Sequence, residues 1–281
     1  MPISDGIYQC TQDPAISLFG KGLQWLGYEN VGIHYEPGLA LSNGDGDFGM
    51  FGACSRKLSE MLGKDKIALD LGAGLGQAAI PLAAAGTQTI AVDISQNMLK
   101  VLVERASAYG ILDRNLVCAR MNAYDLKIRD SSIDAVIEID MLHQVDQPEI
   151  VVDEIRRVLK PDGIYVKYRS KGLALDEAQQ KSNAEGHRIE SDIQHFYQAL
   201  TEEKGYGISP FSSWQKAKAC IDDNFGEPQI VDTDVVQNWT GDVHFKLYKT
   251  KMRASGACQC IPDAVHDEAW RKTEEYAIRR F

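Results

Sequence analysis

From Lys66 to Arg169 the chain repeats one unit: a short run of consecutive apolar residues, then a longer stretch with apolar residues at helical spacing. Lys66-Ile67-Ala68-Leu69-Asp70-Leu71 is predicted as a buried strand, followed by a glycine turn and an alanine-rich helix from Leu75 to Ala85. Thr89 to Asp93 is the second strand. Ser95 caps a helix whose Leu99, Leu102, Val103 and Ala106 share one face, and Gly110 ends it. Asn115 to Arg120 and Ile133 to Ile139 are further strands, the latter lacking period-2 alternation and therefore buried on both faces. Pro148 suits the first position of a helix carrying Val151, Ile155, Val158 and Leu159. Lys160-Pro161-Asp162-Gly163 breaks that helix and turns into a fifth strand, Ile164 to Tyr168. Strands separated by helices need crossovers, and these give a parallel sheet covered on both faces, a doubly wound α/β domain.

The flanks are less regular. Pro14 to Trp25 and Phe48 to Leu62 are predicted helices, separated by the loop Ser42-Asn43-Gly44-Asp45-Gly46. Leu173 to Leu200, Ser213 to Phe225 and Asp263 to Arg280 are predicted as helices too. Ile230 to Val235 and Val243 to Leu247 alternate around Thr240-Gly241-Asp242, which predicts an antiparallel hairpin at the sheet edge; a short helix from Thr240 is the alternative. With no linker in view, the expectation is one domain over 1–281. Its parts are N-terminal helices (1–65), a core (66–170), a helical cap (171–225), and a sheet edge with a terminal helix (226–281).

Composition narrows the function classes. The 281 residues are 44% hydrophobic and 25% charged, as globular proteins are. The net charge of −10 opposes a nucleic-acid partner. The longest apolar run, Ala78 to Ala85, is interrupted by Pro81 and too short to span a bilayer, and the amino terminus has no signal-peptide pattern. Six scattered cysteines form no disulfide framework, so a cytoplasmic, reduced protein without a membrane partner is expected, as a monomer or homodimer. Cys258-Gln259-Cys260 suits a soft metal or an arsenical, but two thiols without histidine support are more often ordinary, and no metal site is expected.

Asp70-Leu71-Gly72-Ala73-Gly74-Leu75-Gly76-Gln77 lies between the first strand and the first helix, where glycines let the backbone turn and a ligand approach. Asp93 ends the second strand, where a carboxylate accepts ribose hydroxyls. Gly74, Gly76 and Ala79 also satisfy a loose dinucleotide fingerprint, so the loop alone does not choose the ligand. Further motifs follow in order: Val92-Asp93-Ile94-Ser95-Gln96-Asn97-Met98, Asn122-Ala123, Asp134-Ala135-Val136-Ile137-Glu138, and Arg157-Val158-Leu159-Lys160-Pro161-Asp162-Gly163. With Leu69 to Gly76 they resemble the class I S-adenosylmethionine-dependent methyltransferases over about Lys66 to Arg169.

The resemblance implies a mostly parallel, seven-stranded Rossmann-like methyltransferase fold with an antiparallel edge strand, and S-adenosylmethionine as cofactor with S-adenosylhomocysteine as product. It places Gly72 and Gly74 against the methionine part, Asp93 on the ribose, and Ile94 and Met98 on the adenine. Asn122 and Ala123 match the adenine-amino position, where the family commonly has Asp; Asn122 still offers an amide oxygen. Asp70, Ala73, Gly76 and Glu138 complete the expected cofactor-binding set.

The acceptor is less legible. Transfer from a sulfonium needs alignment and exclusion of water, and a base only where the acceptor must lose a proton. His143 follows the fourth strand and, by the resemblance, faces the acceptor as base; a turn-capping histidine is the alternative. Arg169 hints at an anionic small molecule, although a surface salt bridge explains it as well. His34, Tyr35 and Tyr168 are the remaining substrate candidates. Asn- or Asp-Pro-Pro-aromatic and Pro-Cys runs, which amino- and cytosine-methylating enzymes carry after the fourth strand, are absent: Glu138-Ile139-Asp140-Met141 stands there. A cofactor-binding protein without turnover and an RNA or protein methyltransferase are the other readings.

Overall fold

The structure, a computed structural model, describes residues 2–11, 16–18, 23–25, 48–145, 147–168, 177–206, 214–233, 243, 247, 250–251 and 261–281. The strands β1 (Ile3–Ser4) and β2 (Ile7–Gln9) open the chain, and β3 (Ile16–Leu18) pairs with β4 (Leu23–Trp25) in a separate two-stranded sheet. Then come α1 (Gly49–Leu62), β5 (Ile67–Leu71), α2 (Ala79–Ala84), β6 (Gln88–Asp93), α3 (Gln96–Ala108), β7 (Leu116–Arg120) and β8 (Ile133–Glu138). A 3-10 turn at Leu142–Gln144 leads to α4 (Pro148–Val158) and β9 (Leu159–Val166), and α5 (Glu177–Glu202), α6 (Trp214–Phe225) and α7 (Asp263–Arg280) follow.

Seven strands form one sheet in the order β1-β2-β7-β6-β5-β8-β9, six running parallel and β1 antiparallel at the edge. This is the mostly parallel Rossmann-like sheet that the alternating pattern predicts. All six residues of β8 are buried, Asp134 and Glu138 included, as the lack of period-2 alternation predicts. Leu69 and Leu71 face α4 and α6, with Val151, Val152, Ile155 and Ala217 in one core. Ala68 lies on the opposite face, in a core with Leu58 of α1 and Leu82 of α2. Ile80 and Ala83 of α2 pack there with Leu99 and Leu102 of α3. The Ser95 hydroxyl accepts from the Met98 N–H at 3.2 Å, and Pro148 opens α4, so both helix starts fall where their local chemistry puts them.

Several expectations are corrected. The antiparallel edge is built by the amino terminus and not by the hairpin expected after Ile230. Residues Ile230 to Thr233 join no ladder, Asp234 to Asp242 lie outside the described residues, and Val243 and Leu247 are helical, as in the alternative from Thr240. Asp5 and Gly6, with φ of 54° and 73°, form the tight turn between β1 and β2 that a right-twisted hairpin favours. Where a helix is predicted over Pro14 to Trp25, two short strands are found; in the sequence Gly20 and Gly22 lie between the two triplets and weigh against a helix. The helix expected from Leu75 begins only at Ala79, because Gly74 and Gly76 have φ of 52° and 79°. Lys160-Pro161-Asp162-Gly163 does not separate α4 from β9 but lies within β9. The register jumps from Ile133↔Leu159 to Ala135↔Ile164, and the bulge absorbs the extra residues.

The chain groups into two compact units. The first comprises Met1–Ile16, Leu26–Arg169 and Phe211–Val235 and holds the seven-stranded sheet with α1 to α4 and α6. The second comprises Ser17–Trp25, Ser170–Pro210 and Val236–Phe281 and contains α5 and α7. Its core joins Ile189 and Ile193 to Ala277, and Phe196 stacks on Tyr276 at 4.0 Å. The buried Tyr197 hydroxyl meets His266 Nδ1 at 2.7 Å.

At the amino end of the sheet, Asp134 ties three strands together. Its carboxylate accepts from the Ile67 N–H (3.0 Å), Lys66 Nζ (3.1 Å) and Lys160 Nζ (2.8 Å). Burial alone would raise its pKa, but Lys160, the Ile67 N–H and Lys66 outweigh burial and hold it at about 2. Because the folded value lies below the unfolded one, the contribution is present above about pH 4 and lost as pH falls through about 2. Solvent screening of the two half-exposed lysines trims it to about 1–2 kcal/mol. Asp134→Asn should therefore flatten the loss of stability between about pH 4 and pH 2, read by urea unfolding across that range.

Candidate functional site

The strand order places β5 between β6 and β8: the chain winds from β5 through β6 to β7 toward one edge, then crosses back to β8 and β9 toward the other. In such sheets the crevice at the carboxyl ends of the strands flanking that reversal is the ligand site. Here those ends are Asp70-Leu71, running into the glycine loop, and Glu138, which pairs with Leu71.

The loop is anchored to β6. Gly72 and Ala73 both donate to the Val92 carbonyl, at 2.8 and 2.9 Å. Asp93 then spans the loop and the next helix: Oδ2 accepts from the Gly74 N–H and Oδ1 from the Ser95 N–H, both at 2.8 Å. Asp93 thereby stands at the carboxyl end of β6, against both the glycine loop and the start of α3. From α3, Arg105 holds the Leu75 carbonyl at 2.5 Å while its guanidinium lies 4.9 Å from the Phe48 ring centre.

Each glycine faces different surroundings. A Cβ on Gly74 would meet only Met98 Cε at 3.7 Å, so a ligand can approach the backbone there. A Cβ on Gly72 would stand 2.7 Å from Met141 Cγ, and one on Gly76 would stand 2.7 Å from Leu102 Cγ. The expected adenine neighbours Ile94 and Met98 flank the start of α3, half-buried and buried respectively. Asn122 uses its amide oxygen on the Tyr124 N–H at 3.0 Å, shaping its own turn, and Ala123 beside it is half-buried against the core.

Asp70 is 2% exposed, and its Oδ2 accepts from the Ala79 N–H at 2.9 Å. Burial raises its pKa to about 7; the Ala79 hydrogen bond works against this, and the charges of Asp93 and Glu138 add to it. The first N–H of α2, where a dinucleotide's pyrophosphate would sit, thus already holds the protein's own carboxylate. A negative ligand there would face Asp70 and Asp93; a cationic one is favoured.

Glu138 is fully buried. Burial would raise its pKa, but Lys167 and the Leu142 and Met141 N–H groups bring it below its ordinary value. His143 follows in the 3-10 turn. Its pKa is lowered, first by burial and further by Lys167, against the opposing pull of Asp140 and Glu138. The imidazole is therefore neutral at pH 7 and able to accept a proton.

Tyr168, a substrate candidate from the sequence, is buried among Leu58, Ala78 and Ile137, and its hydroxyl donates to Ser55 Oγ at 3.1 Å. His34, Tyr35, Arg169, Cys258 and Cys260 lie outside the described residues. Among the described residues no group of His, Cys, Asp or Glu side chains is arranged to hold a metal ion, and no helix is long and apolar enough to cross a membrane. Sequence reasoning missed Met141 over Gly72, Arg105 on the loop, and Tyr165 with Lys167 on Glu138. Only the i, i+2 spacing of that last pair, which puts both on one face, was a readable signal.

The sheet order and this crevice define a class I S-adenosylmethionine-dependent methyltransferase fold, and comparison with known proteins agrees. Residues 69–166 match the family described as a methyltransferase domain. A demethylmenaquinone methyltransferase of Clavibacter sepedonicus is 39% identical over 95 residues, 34% of this chain and 37% of that protein. A tRNA 5-carboxymethoxyuridine methyltransferase of Escherichia coli (strain K12) is 31% identical over 123 residues, 43% of this chain and 47% of that one. The chain thus spans between about a third and a half of the length of these curated relatives. The crystal structure of a putative S-adenosyl-L-methionine-dependent methyltransferase from Methanococcus maripaludis shares the fold, with a TM-score of 0.51 at 15% identity over 76% of this chain and 91% of that one.

Proposed function

We propose that this protein transfers a methyl group from S-adenosylmethionine to a small-molecule acceptor. The observation that carries the reading is the Asp70 carboxylate on the first N–H of α2, which fills the pyrophosphate position and suits a sulfonium instead. Gly74 leaves backbone open to the methionine part, Asp93 takes the ribose hydroxyls, and Ile94 and Met98 line the adenine, with Asn122 and Ala123 beyond. Gly72, Ala73 and Gly76 shape the loop and Asp70 fixes its start. When bound, the cofactor supplies an electrophilic methyl carbon. The protein's part is to hold the acceptor in line, exclude water and receive the acceptor's proton at a neutral His143 nitrogen.

A small acceptor fits the net charge of −10, which repels a phosphate backbone. The Escherichia coli relative bears the name of a tRNA methyltransferase, so tRNA belongs in the acceptor panel beside carboxylates and quinones. A protein that binds the cofactor without turnover is the remaining alternative.

Isothermal titration should give saturable binding of S-adenosylmethionine and S-adenosylhomocysteine and none of NADH; the opposite pattern would reverse the assignment. Once an acceptor is found, His143→Ala should lower kcat by about 10²–10⁴-fold with the cofactor Kd unchanged, and equal turnover would remove His143 as the base.

A further inference from the structure

We propose that Glu138 is a positioning residue, which together with Lys167 and Tyr165 fixes the turn carrying Met141 and His143 and does not itself hold the cofactor. Its Oε1 accepts two consecutive backbone N–H groups, Met141 at 2.6 Å and Leu142 at 2.8 Å. At the start of a helical turn such groups have no acceptor within the turn, so Glu138 caps it from the strand below. Oε2 accepts from the Tyr165 hydroxyl at 2.9 Å and pairs with Lys167 Nζ at 3.0 Å. Four donors fill the roughly four lone-pair positions of a carboxylate, and the side chain has no exposed surface.

The carboxylate is itself held rigidly. It ends a strand buried along its whole length, in register with Leu71, the residue before Gly72. Tyr165 stacks on Phe225 of α6 at 4.6 Å, and Lys167 is 15% exposed. The turn is thereby tied to β8 and β9 at once, with Met141 against Gly72 and His143 two residues further on. Asp140, just before Met141, has a left-handed φ of 54°, a conformation that the capped turn holds in place. The charged groups acting on His143 are Asp140, Glu138 and Lys167, so the pair that fixes the turn also sets its charge environment.

This inference rests on His143 as the proposed base, but its test needs no acceptor. The His143 imidazole is titrated by NMR in the full chain, and S-adenosylhomocysteine binding is measured by calorimetry. The proteins compared are wild type, Glu138→Gln, Lys167→Gln and the double variant. Glu138→Gln should lower the His143 pKa, Lys167→Gln should raise it, and the double variant should return it close to wild type. S-adenosylhomocysteine affinity should change by less than about threefold in Glu138→Gln, because no ligand hydrogen bond is lost.

Shifts in the same direction in both single variants, or none in any folded variant, would overturn the proposal. So would a loss of about tenfold or more in S-adenosylhomocysteine affinity in Glu138→Gln, which would return Glu138 to the cofactor. Should Glu138→Gln not fold, the sign of the Lys167→Gln shift decides. A wild-type protein that binds no S-adenosylhomocysteine would defeat the methyl-transfer reading and leave the titration result standing.

Discussion

Replacing Asp93 by alanine should raise the Kd for S-adenosylmethionine by a factor of about 5 to 150, a loss of about 1–3 kcal/mol. Two effects add. The carboxylate that would accept the ribose hydroxyls disappears, and so do the 2.8 Å hydrogen bonds from the Gly74 and Ser95 N–H groups. The glycine loop then loses its anchor to the end of β6 and must be ordered by the ligand, which weakens binding further. Asp93→Asn separates the two. Its amide oxygen can keep one backbone N–H, but the charge is gone, so an intermediate Kd is expected. Calorimetry with S-adenosylhomocysteine reads the same contacts without turnover. An unchanged Kd in Asp93→Ala would remove Asp93 from the ribose.

Alanine at Gly76 should cost about 2–5 kcal/mol of stability. A left-handed φ of 79° strains any residue with a Cβ by about 1–2 kcal/mol. The new methyl would lie 2.7 Å from Leu102 Cγ and 3.0 Å from Ile80 Cδ1, and forcing it into that packed interior adds about 1–3 kcal/mol. Thermal unfolding should fall by roughly 4–20 °C. Gly72→Ala meets a comparable obstacle on the other side of the loop. Its φ is 76°, and the new methyl would stand 2.7 Å from Met141 Cγ and 2.8 Å from Met141 Cβ, an atom fixed to the turn that Glu138 caps. A stability loss of about 2–5 kcal/mol is expected here too, and cofactor affinity should drop as well, because displacing Met141 disturbs the ligand side of the loop. An unchanged melting temperature in either variant would contradict the close packing around these two glycines.

The sequence by itself determined the elements whose reasons are local. A segment such as Ile133 to Glu138, whose apolar residues Ile133, Ala135, Val136 and Ile137 do not keep to one face, must be covered on both faces, which marks it as an interior parallel strand. Ser95, Pro148 and Gly110 act within one helical turn of their own positions, so their capping and ending roles were readable without knowing the fold. The glycine loop and Asp93 were legible for the same reason, since each sits at a strand end that the pattern marks.

Tertiary structure decided what lies across from each residue. Alternation in Ile230 to Val235 suits a strand, but a strand exists only where a ladder accepts it; Ile230 to Thr233 join none, and the antiparallel edge strand comes from the Asp5-Gly6 hairpin. The Lys160-Pro161-Asp162-Gly163 segment carries every local sign of a turn, yet pairing with β8 draws it into β9 as a bulge. Tyr168 looks like a pocket residue by position, and the packing of α1 buries it. Glu138 shows the limit most clearly: its charge and strand position are in the sequence, while its partners Tyr165 and Lys167 are set by the register of β9 against β8. Periodicity fixes which face a side chain presents, and only the long-range pairing of strands fixes what it meets there.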